Sequence, residues 1–290
     1  MKKGTNDIKV LVCCHKKAEF PKGEIYLPVQ VGALRSDIDL GIQRDCEVNG
    51  CLCDNISCEN NIYCEMTASY WAWKNINKLF QDIQYIGLCH YRRYFNAGWN
   101  FWDKGRYAIK CIRNKWISMA TNTVLTTEPV RVIDSLQEKE FINNTSKLEN
   151  VIRNHDVVST YPCKITNCNT EFFFQIIGQV YIRVLTEVVD SLFPKYSLAY
   201  HEQLKSSEIY AQNMVVMRME IFDEYCTFVF SVLSEHKSLI KERNICIDPS
   251  SEGIYDRVSG YLAEILTSTF VRYAITKYDV GFVGKYFLNG

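Results

Sequence analysis

The sequence lacks several features that would assign a chain to a functional class at once. It has no charge excess, because 33 Lys and Arg balance 33 Asp and Glu among 290 residues, which argues against bulk electrostatic binding of nucleic acid. It has no run of about 18 apolar residues, so no membrane-spanning helix is expected. The N-terminal segment is too short and too polar for a secretory signal, and a cytoplasmic location is expected.

Internal repeats and low-complexity linkers are also absent, and the composition is that of a folded globular protein. Hydrophobic residues make up 47% and charged residues 23% of the chain, which is enough for a sizeable core. At roughly 150 residues per domain, the length fits one large or two small domains. Because no linker divides the chain, residues 1–290 are predicted to form a single domain.

Cysteine, in contrast, is unusually abundant, with 13 residues. The odd count and the length of the chain argue against a disulfide framework, and reduced thiols are expected. Five cysteines crowd into one segment, but their gaps match no CxxC pair of a zinc site: Cys46, Cys51, Cys53, Cys58 and Cys64. A non-catalytic, cysteine-rich interaction module that holds zinc is kept as an alternative function.

Short β-branched runs alternate with segments of helical periodicity, the order of a parallel α/β fold. A buried strand at 8–14 precedes an irregular polar loop at 36–58, a helix over 61–80 and a second buried strand at 85–89. The pattern further predicts strands at 156–159 and 212–217, and helices at 172–193 (with Pro194 just beyond), 221–233 and 255–270. The predicted architecture is a mostly parallel central sheet flanked by helices.

The segment 96–150 interleaves basic and aromatic residues and supports two interpretations. Five Lys and Arg between 104 and 115 alternate with the aromatic and aliphatic residues of 99–116. One interpretation is a solvated helix face with aromatic packing beneath it. The other is a variable edge that docks on anionic lipid or on a membrane-anchored acceptor, at the inner face of the plasma membrane.

Two of the predicted strands end in basic residues, His15-Lys16-Lys17 and His90-Tyr91-Arg92-Arg93. Ligands of open α/β sheets bind at the carboxyl ends of the strands, and a guanidinium suits phosphate oxygens while a Tyr or His ring stacks a base or sugar. These ends therefore indicate a phosphate-bearing ligand, such as a nucleotide. Alternatively, the arginines pair with Glu65 or Glu264 in the core. Use of 90–95 as an RNA-binding platform is a third interpretation, against which the zero net charge counts.

Several motifs resemble one bacterial family closely, the capsular and exopolysaccharide glycosyltransferase family known as DUF4422. The most specific are DNISCEN (54–60), YCEMT (63–67), YWAWKN (70–75) and GLCHYRRYF (87–95). HK (15–16), NMVVM (213–217) and RVSGYLAE (257–264) are similar to its first strand end, a late strand and its closing helix. One departure is Ile265, where the family usually has a basic residue.

The resemblance implies a GT-A-like, Rossmann-type fold. It also implies transfer of a sugar, galactose or galactofuranose, from a UDP-sugar donor to a growing cell-surface polysaccharide or lipid-linked oligosaccharide. By the same resemblance, the residues that bind the donor are His15, Lys16, Asn55, Ser57, Asn60, His90, Tyr91, Arg92 and Arg93.

The catalytic groups are less well defined by the sequence. The only Asp-x-Asp triplet, Asp37-Ile38-Asp39, precedes the first predicted helix and is interpreted as a solvated loop rather than a metal motif. No metal ligand is therefore assigned and no cofactor is required, although Mn²⁺ or Mg²⁺ remains compatible with the fold. The candidate base for the acceptor hydroxyl is Glu202, predicted to lie in a polar loop, and Asp156 competes for that role.

Overall fold

The computed structural model describes residues 7–137, 139–245 and 257–289. The strands are β1 (Ile8–Cys14), β2 (Tyr26–Gln30), β3 (Gln43–Arg44), β4 (Glu47–Val48), β5 (Cys51–Leu52), β6 (Tyr85–His90), β7 (Arg93–Asn96), β8 (Thr126–Thr127), β9 (Val130–Ile133), β10 (Val157–Thr160), β11 (Cys163–Ile165), β12 (Glu208–Ile209), β13 (Val215–Arg218) and β14 (Val280–Leu288). The helices are α1 (Asn60–Tyr63), α2 (Met66–Leu79), α3 (Phe101–Thr121), α4 (Lys139–Arg153), α5 (Asn169–Ile177), α6 (Gln179–Leu192), α7 (Pro194–Lys205), α8 (Met219–Glu242) and α9 (Val258–Ile275).

The central sheet has nine strands and confirms the α/β class, but it is mixed rather than mostly parallel. Its order is β13-β10-β14-β7-β6-β1-β2-β3, with β9 beside β14 and a further pairing of β13 with β6. The pairs β1–β2, β1–β6, β2–β3, β10–β14 and β9–β14 are parallel, whereas β6–β7, β7–β14, β10–β13 and β6–β13 are antiparallel. For the β6–β7 pair the cause is local, because Tyr91 and Arg92 form a tight turn that sends the chain straight back beside β6.

Strand β1 is buried on both faces, which explains why its sequence is apolar without interruption. Leu11 and Cys13 face one hydrophobic cluster, while Val10 and Val12 face the other. Helices α2, α6, α8 and α9 pack into the first cluster, and α4 covers the second. Two of the strands predicted from the sequence, at 8–14 and 85–89, are therefore confirmed as β1 and β6.

Two predicted helices are broken by residues with positive φ. The helix expected at 61–80 is α1 followed by α2, because Cys64 has φ 51° and ψ −133°. The helix expected at 172–193 is α5 followed by α6, separated at Gly178 with φ 86°. Pro194 does not merely follow a helix but begins α7, since its missing N–H costs nothing in a first turn.

Other differences are smaller. Strand β13 begins at Val215 rather than 212 because Gln212 and Asn213 have left-handed φ values of 66° and 52°. The loop at 36–58 contains the short strands β3 to β5. The two closing helices are confirmed as α8 and α9, although residues 255 and 256 lie outside the described ranges. Among the described residues, no helix has both the length and the apolarity to cross a membrane.

Candidate active site

A cleft of about 720 Å³ opens at the carboxyl ends of β1 and β6. These strands are parallel and in register, with Cys13 opposite His90, so the residues that follow them reach the same edge of the sheet. The basic side chains of its lining include His15, Arg92, Arg93 and Arg257. Two carboxylates, Glu65 and Glu264, also line it, and they share a small side cavity with Arg257. A cleft with groups of both signs can hold an anionic ligand beside a proton acceptor.

Arg92 and Arg93 stack on an aromatic ring instead of pairing with acids. Their guanidinium carbons lie 4.9 and 5.4 Å from the centroid of the Phe287 ring, and Arg92 Nε donates to the carbonyl of Leu288 at 3.3 Å. Among the described residues, neither arginine has a carboxylate oxygen within ion-pair distance, and the buried Nε of Arg93 has no hydrogen-bond partner. The alternative pairing with Glu65 or Glu264 is therefore not what the structure shows.

Glu65 is held by a chain of side-chain hydrogen bonds from α8 and α9. The break after α1 places it at the start of α2, where Asn213 Nδ2 donates to Glu65 Oε1 at 2.9 Å. Thr267 Oγ1 donates to Asn213 Oδ1 at 2.7 Å and lies 2.8 Å from the hydroxyl of Tyr225. His90 Nε2 lies 4.0 Å from Glu65 Oε1. The carboxylate is thus positioned from the core side and presented to the cleft.

Glu264 is a carboxyl of the cleft whose pKa is strongly raised. Burial, together with the negative charge of Glu65, raises its pKa from 4.5 to about 7, against the opposing effect of a hydrogen bond from the backbone N–H of Gln212. The same Gln212 accepts a hydrogen bond from His90 Nε2 through its carbonyl oxygen at 2.9 Å if that nitrogen carries the proton. A carboxyl that titrates near pH 7 can both accept and release a proton.

The loop residues predicted to bind the donor are only partly at the cleft. Asn60 lines it and packs against Gly32, whose φ is +66° and whose missing Cβ would lie 2.8 Å from Asn60 Oδ1. Ser57 is buried and donates to the carboxylate of Asp45, which also accepts the N–H of Gly32 at 2.8 Å. The side-chain oxygen of Asn55, Oδ1, accepts a hydrogen bond from the backbone N–H of Ser57 at 3.0 Å. Asn55 and Ser57 therefore shape the loop, and neither lines the cleft.

The basic end of β1 divides between two adjoining cavities. His15 lines the main cleft and meets the Tyr91 ring edge-on at 5.5 Å between centroids. Burial lowers the pKa of His15, and the charges of Lys16 and Arg257 lower it further. Lys16 lies in a neighbouring cavity of about 400 Å³ that shares Tyr91 and Arg92 with the cleft, with its Nζ 5.5 Å from the Tyr91 ring.

The two candidate bases chosen from the sequence lie away from the cleft. Glu202 is exposed on α7, which is a regular helix where a polar loop was expected, because Pro194 starts a helix there. Asp156 precedes β10, which runs in the same direction as β6, so it lies at the opposite edge of the sheet from His90. The backbone N–H of Asp279 and the guanidinium of Arg218, at 2.7 Å, lower its pKa. Asp156 is therefore engaged in a structural ion pair.

The residues considered for metal binding are dispersed. Asp37 and Asp39 are exposed, and Asp39 accepts the N–H of Gly41 in a local turn at 2.8 Å. Within the described ranges, no group of three or more His, Cys, Asp or Glu side chains is arranged to hold a metal ion. The clustered cysteines range from buried Cys46 to exposed Cys51 and Cys58, and no zinc site forms among the described residues.

Sequence reasoning considered Glu65 and Glu264 only as partners for arginines and missed them as acids of the cleft. Arg257, which the sequence marks only as part of the RVSGYLAE motif, also borders the cleft. Its Nε donates to Cys64 Sγ at 3.4 Å. Each lies in a segment that was read as helical, where an acid or a base is ordinarily a solvated residue. The signal that marks them is structural: the break at Cys64 and the approach of α9.

Comparison with known proteins shows the family and the fold of the chain. Residues 9–275 match the model of DUF4422, a domain of unknown function. No curated protein gives a significant match. The apo structure of WbbM, a bifunctional glycosyltransferase, has the same fold with a TM-score of 0.74 at 24% sequence identity; the match covers 98% of this chain and 46% of that one, so the chain spans about half the length of WbbM. The chain belongs to the DUF4422 family.

Proposed function

We propose that the protein is a glycosyltransferase that moves a sugar from a UDP-sugar donor to a saccharide acceptor. The observation that carries the proposal is the pair of guanidinium groups, Arg92 and Arg93, which line an open cleft and, among the described residues, have no carboxylate within ion-pair distance, although Arg93 is near enough to Glu128 to lower its pKa. Family membership and the fold shared with WbbM support it. The proposed sugar is galactose or galactofuranose, and the proposed acceptor is a growing cell-surface polysaccharide or a lipid-linked oligosaccharide.

The donor is proposed to bind with its diphosphate on the arginines of the cleft. Arg92, Arg93 and Arg257 supply planar N–H donors that match phosphate oxygens. As the bond between the sugar and the diphosphate breaks, these cations stabilise the charge that develops on the leaving group. The exposed edge of the His15–Tyr91 pair offers aromatic surface for the uracil ring.

Glu264 is proposed as the base that takes the proton of the acceptor hydroxyl. In a direct displacement the acceptor oxygen forms the new bond to the anomeric carbon, UDP leaves with the electron pair of the old bond, and the hydroxyl proton passes to the Glu264 carboxylate. A pKa of about 7 gives this carboxyl useful populations of both forms near neutral pH. Glu202 and Asp156 are not proposed for this role because both lie outside the cleft.

We infer no resident divalent ion from the side chains of the cleft. Its carboxylates are Glu65 and Glu264, and although His90 and Cys64 also line it, no three His, Cys, Asp or Glu side chains of the described residues are grouped so as to hold a metal ion. This donor set does not fit a resident Mn²⁺ or Mg²⁺. The proposed reaction is therefore derived from the arginines and the carboxylates alone.

Calorimetry with UDP tests the donor site. Arg92→Ala and Arg93→Ala should each weaken UDP binding by roughly 1.5–3 kcal/mol, the range of a charge-assisted hydrogen bond. Arg243→Ala is the matched control, because Arg243 is exposed at the end of α8 and pairs with Glu187. Unchanged affinity in both cleft variants would contradict the placement of the diphosphate.

A panel of UDP-sugars then tests the choice of donor. A bound donor stabilises the folded chain by mass action, so the true donor should raise the melting temperature more than UDP-sugars that fit poorly. UDP-galactose and UDP-galactofuranose are expected to lead the panel. Incubation of the leading donor with a saccharide acceptor, followed by mass spectrometry, should show an added hexose. If no UDP-sugar shifts the melting temperature, the proposed activity is wrong.

A further inference from the structure

Helix α3 exposes a stripe of large apolar side chains to solvent. At about 100° per residue, the angular step of an α-helix, six of them fall within an arc of about 100°. Their exposed fractions range from 60 to 78%, and the six form what is called here the apolar face: Phe101, Trp102, Ile109, Ile112, Trp116 and Met119. A stripe of this size on a helix of the surface indicates contact with another apolar phase.

The opposite side of α3 is polar and is fixed to the protein by hydrogen bonds. Tyr107 donates to the carbonyl of Pro162 at 2.7 Å, Asn114 to Thr127 Oγ1 at 2.8 Å, and Ser118 to Thr166 Oγ1 at 3.0 Å. Asp103, nearer the start of the helix, is also buried and pairs with Arg131. An ordinary surface helix buries its apolar stripe. Here the inner hydrogen bonds hold the polar side of α3 against the protein and leave the apolar face exposed.

The charges beside the apolar face are all of one sign. Lys104 and Lys115 border one edge of the face, and Arg106, Lys110 and Arg113 follow the other edge, as the same angular step places them. All five are exposed, and the only acid of the helix is the buried Asp103. Aromatic and aliphatic residues flanked on both sides by Lys and Arg are typical of helices that lie in a membrane interface.

We propose that the apolar face of α3 docks into the interface of a bilayer that contains anionic phospholipid. The cations on both edges complement lipid phosphates, and Trp102 and Trp116 suit the boundary between headgroups and acyl chains. The inner hydrogen bonds keep the helix parallel to the surface of the protein, so it lies on the bilayer. This inference does not depend on glycosyl transfer.

The inner side of α3 lies near the lining of the cleft. Glu128 borders the cavity behind α3 together with Tyr107 and Lys110. Its carboxylate accepts a hydrogen bond from Gln212 Nε2 at 3.1 Å, and Gln212 lines the cleft. Glu128 thus lies between the inner side of α3 and the cleft.

Co-sedimentation with vesicles tests the proposal. The full chain should bind vesicles of phosphatidylcholine and phosphatidylglycerol, and it should bind those of phosphatidylcholine alone at least about tenfold more weakly. The paired variant Trp102→Glu with Trp116→Glu should lose at least about tenfold in binding. Leu198→Glu is the matched control, because Leu198 is 74% exposed on α7, remote in sequence from the stripe, and its variant should bind as the wild type does.

A second variant and a second readout separate docking from a folding defect. Lys104→Gln with Lys115→Gln leaves the apolar face intact and should still weaken binding to anionic vesicles, because the lipid charge is less well complemented. Lipids brominated in the acyl chain should quench the fluorescence of the wild type and quench the Trp102→Glu, Trp116→Glu variant less. Equal binding by the wild type and both paired variants would overturn the proposal. Self-association through α3 without vesicle binding, seen by sedimentation velocity, would also overturn it and assign the face to a second copy.

Discussion

Replacing Glu264 with Gln should make the protein inactive and, above neutral pH, more stable. The amide keeps the shape of the carboxyl and can still accept the N–H of Gln212, but it cannot take a proton or carry a charge. If Glu264 is the base, the turnover number should fall by about 10²–10⁴-fold. UDP affinity should be retained, because the donor is proposed to bind on the arginines of the cleft and not on this carboxyl.

The gain in stability follows from the raised pKa of Glu264, from 4.5 to about 7. Well below pH 4.5 the carboxyl is protonated in both the folded and the unfolded chain, and its ionisation does not change the free energy of unfolding. As the pH rises to 7, the unfolded chain releases this proton while the folded chain retains it, so the folded state loses relative stability. Each unit of pKa difference corresponds to about 1.4 kcal/mol, so the loss reaches about 3 kcal/mol above pH 7. The Glu264→Gln variant does not lose this stability, because Gln stays neutral at every pH.

Urea denaturation of the wild type and of Glu264→Gln between pH 4 and pH 8 measures this difference. The free energies of unfolding should be similar at pH 4 and should diverge as the pH rises, with the variant more stable at pH 8. Glu65→Gln provides the control, because removing the Glu65 charge should lower the pKa of Glu264, so that in this background the gap caused by Glu264→Gln is smaller and levels off at lower pH. A gap between wild type and Glu264→Gln that is independent of pH would refute the assignment of a raised pKa, and an active Glu264→Gln enzyme would refute the base.

Three further predictions concern the frame of the site and its ions. Asp45→Asn should lower the free energy of unfolding by about 1–3 kcal/mol in urea melts, since the buried carboxylate accepts the N–H of Gly32 and the hydroxyl of Ser57; an unchanged midpoint would contradict this. Gly87→Ala should lower the free energy of unfolding by about 1–3 kcal/mol, because a Cβ there would lie 2.5 Å from a side-chain carbon of the neighbouring strand. Gly105→Ala is the control: Gly105 lies in open space on α3, so this substitution should raise the free energy of unfolding by up to about 1 kcal/mol. UDP affinity should survive EDTA, and a large loss would show that a metal ion bridges donor and protein.

The parts of the fold that the sequence predicts are those with a strong local cause. Strands β1 and β6 are buried on both faces, so their apolar runs are unmistakable, and the basic residues at their ends are where a parallel pair must place them. The left-handed Gln212 and Asn213 leave no such mark, because neither is glycine. Asn213 is fixed by its bonds to Glu65 and Thr267, which come from distant parts of the chain.

Helix α3 shows a different limit of sequence reasoning. Its periodicity marks a helix with an apolar side and a polar side, and packing of the aromatic residues beneath a solvated face is the ordinary interpretation. The structure has the reverse orientation, with Trp102 and Trp116 exposed and Asn114 buried. The deciding contacts are hydrogen bonds to residues 126–127, 162 and 166, whose positions no local pattern can give.

Several unfavourable features of the folded chain meet at the cleft. Among the described residues the buried Arg93 Nε has no hydrogen-bond partner, Gln212 and Asn213 have φ values that cost of order 1–3 kcal/mol each, and the pKa of the Glu264 carboxyl is raised by burial. Single features of this kind also occur elsewhere, as in the buried Nε of Arg44, which has no partner among the described residues, whereas Asp156 at the opposite edge of the sheet is paired with Arg218. A solvated edge has no reason to retain such costs, whereas a diphosphate would satisfy the guanidinium and an acceptor hydroxyl would engage the carboxyl. The combination of an unpartnered guanidinium and a carboxyl of raised pKa in one cleft is therefore a physical reason to look for the reaction there.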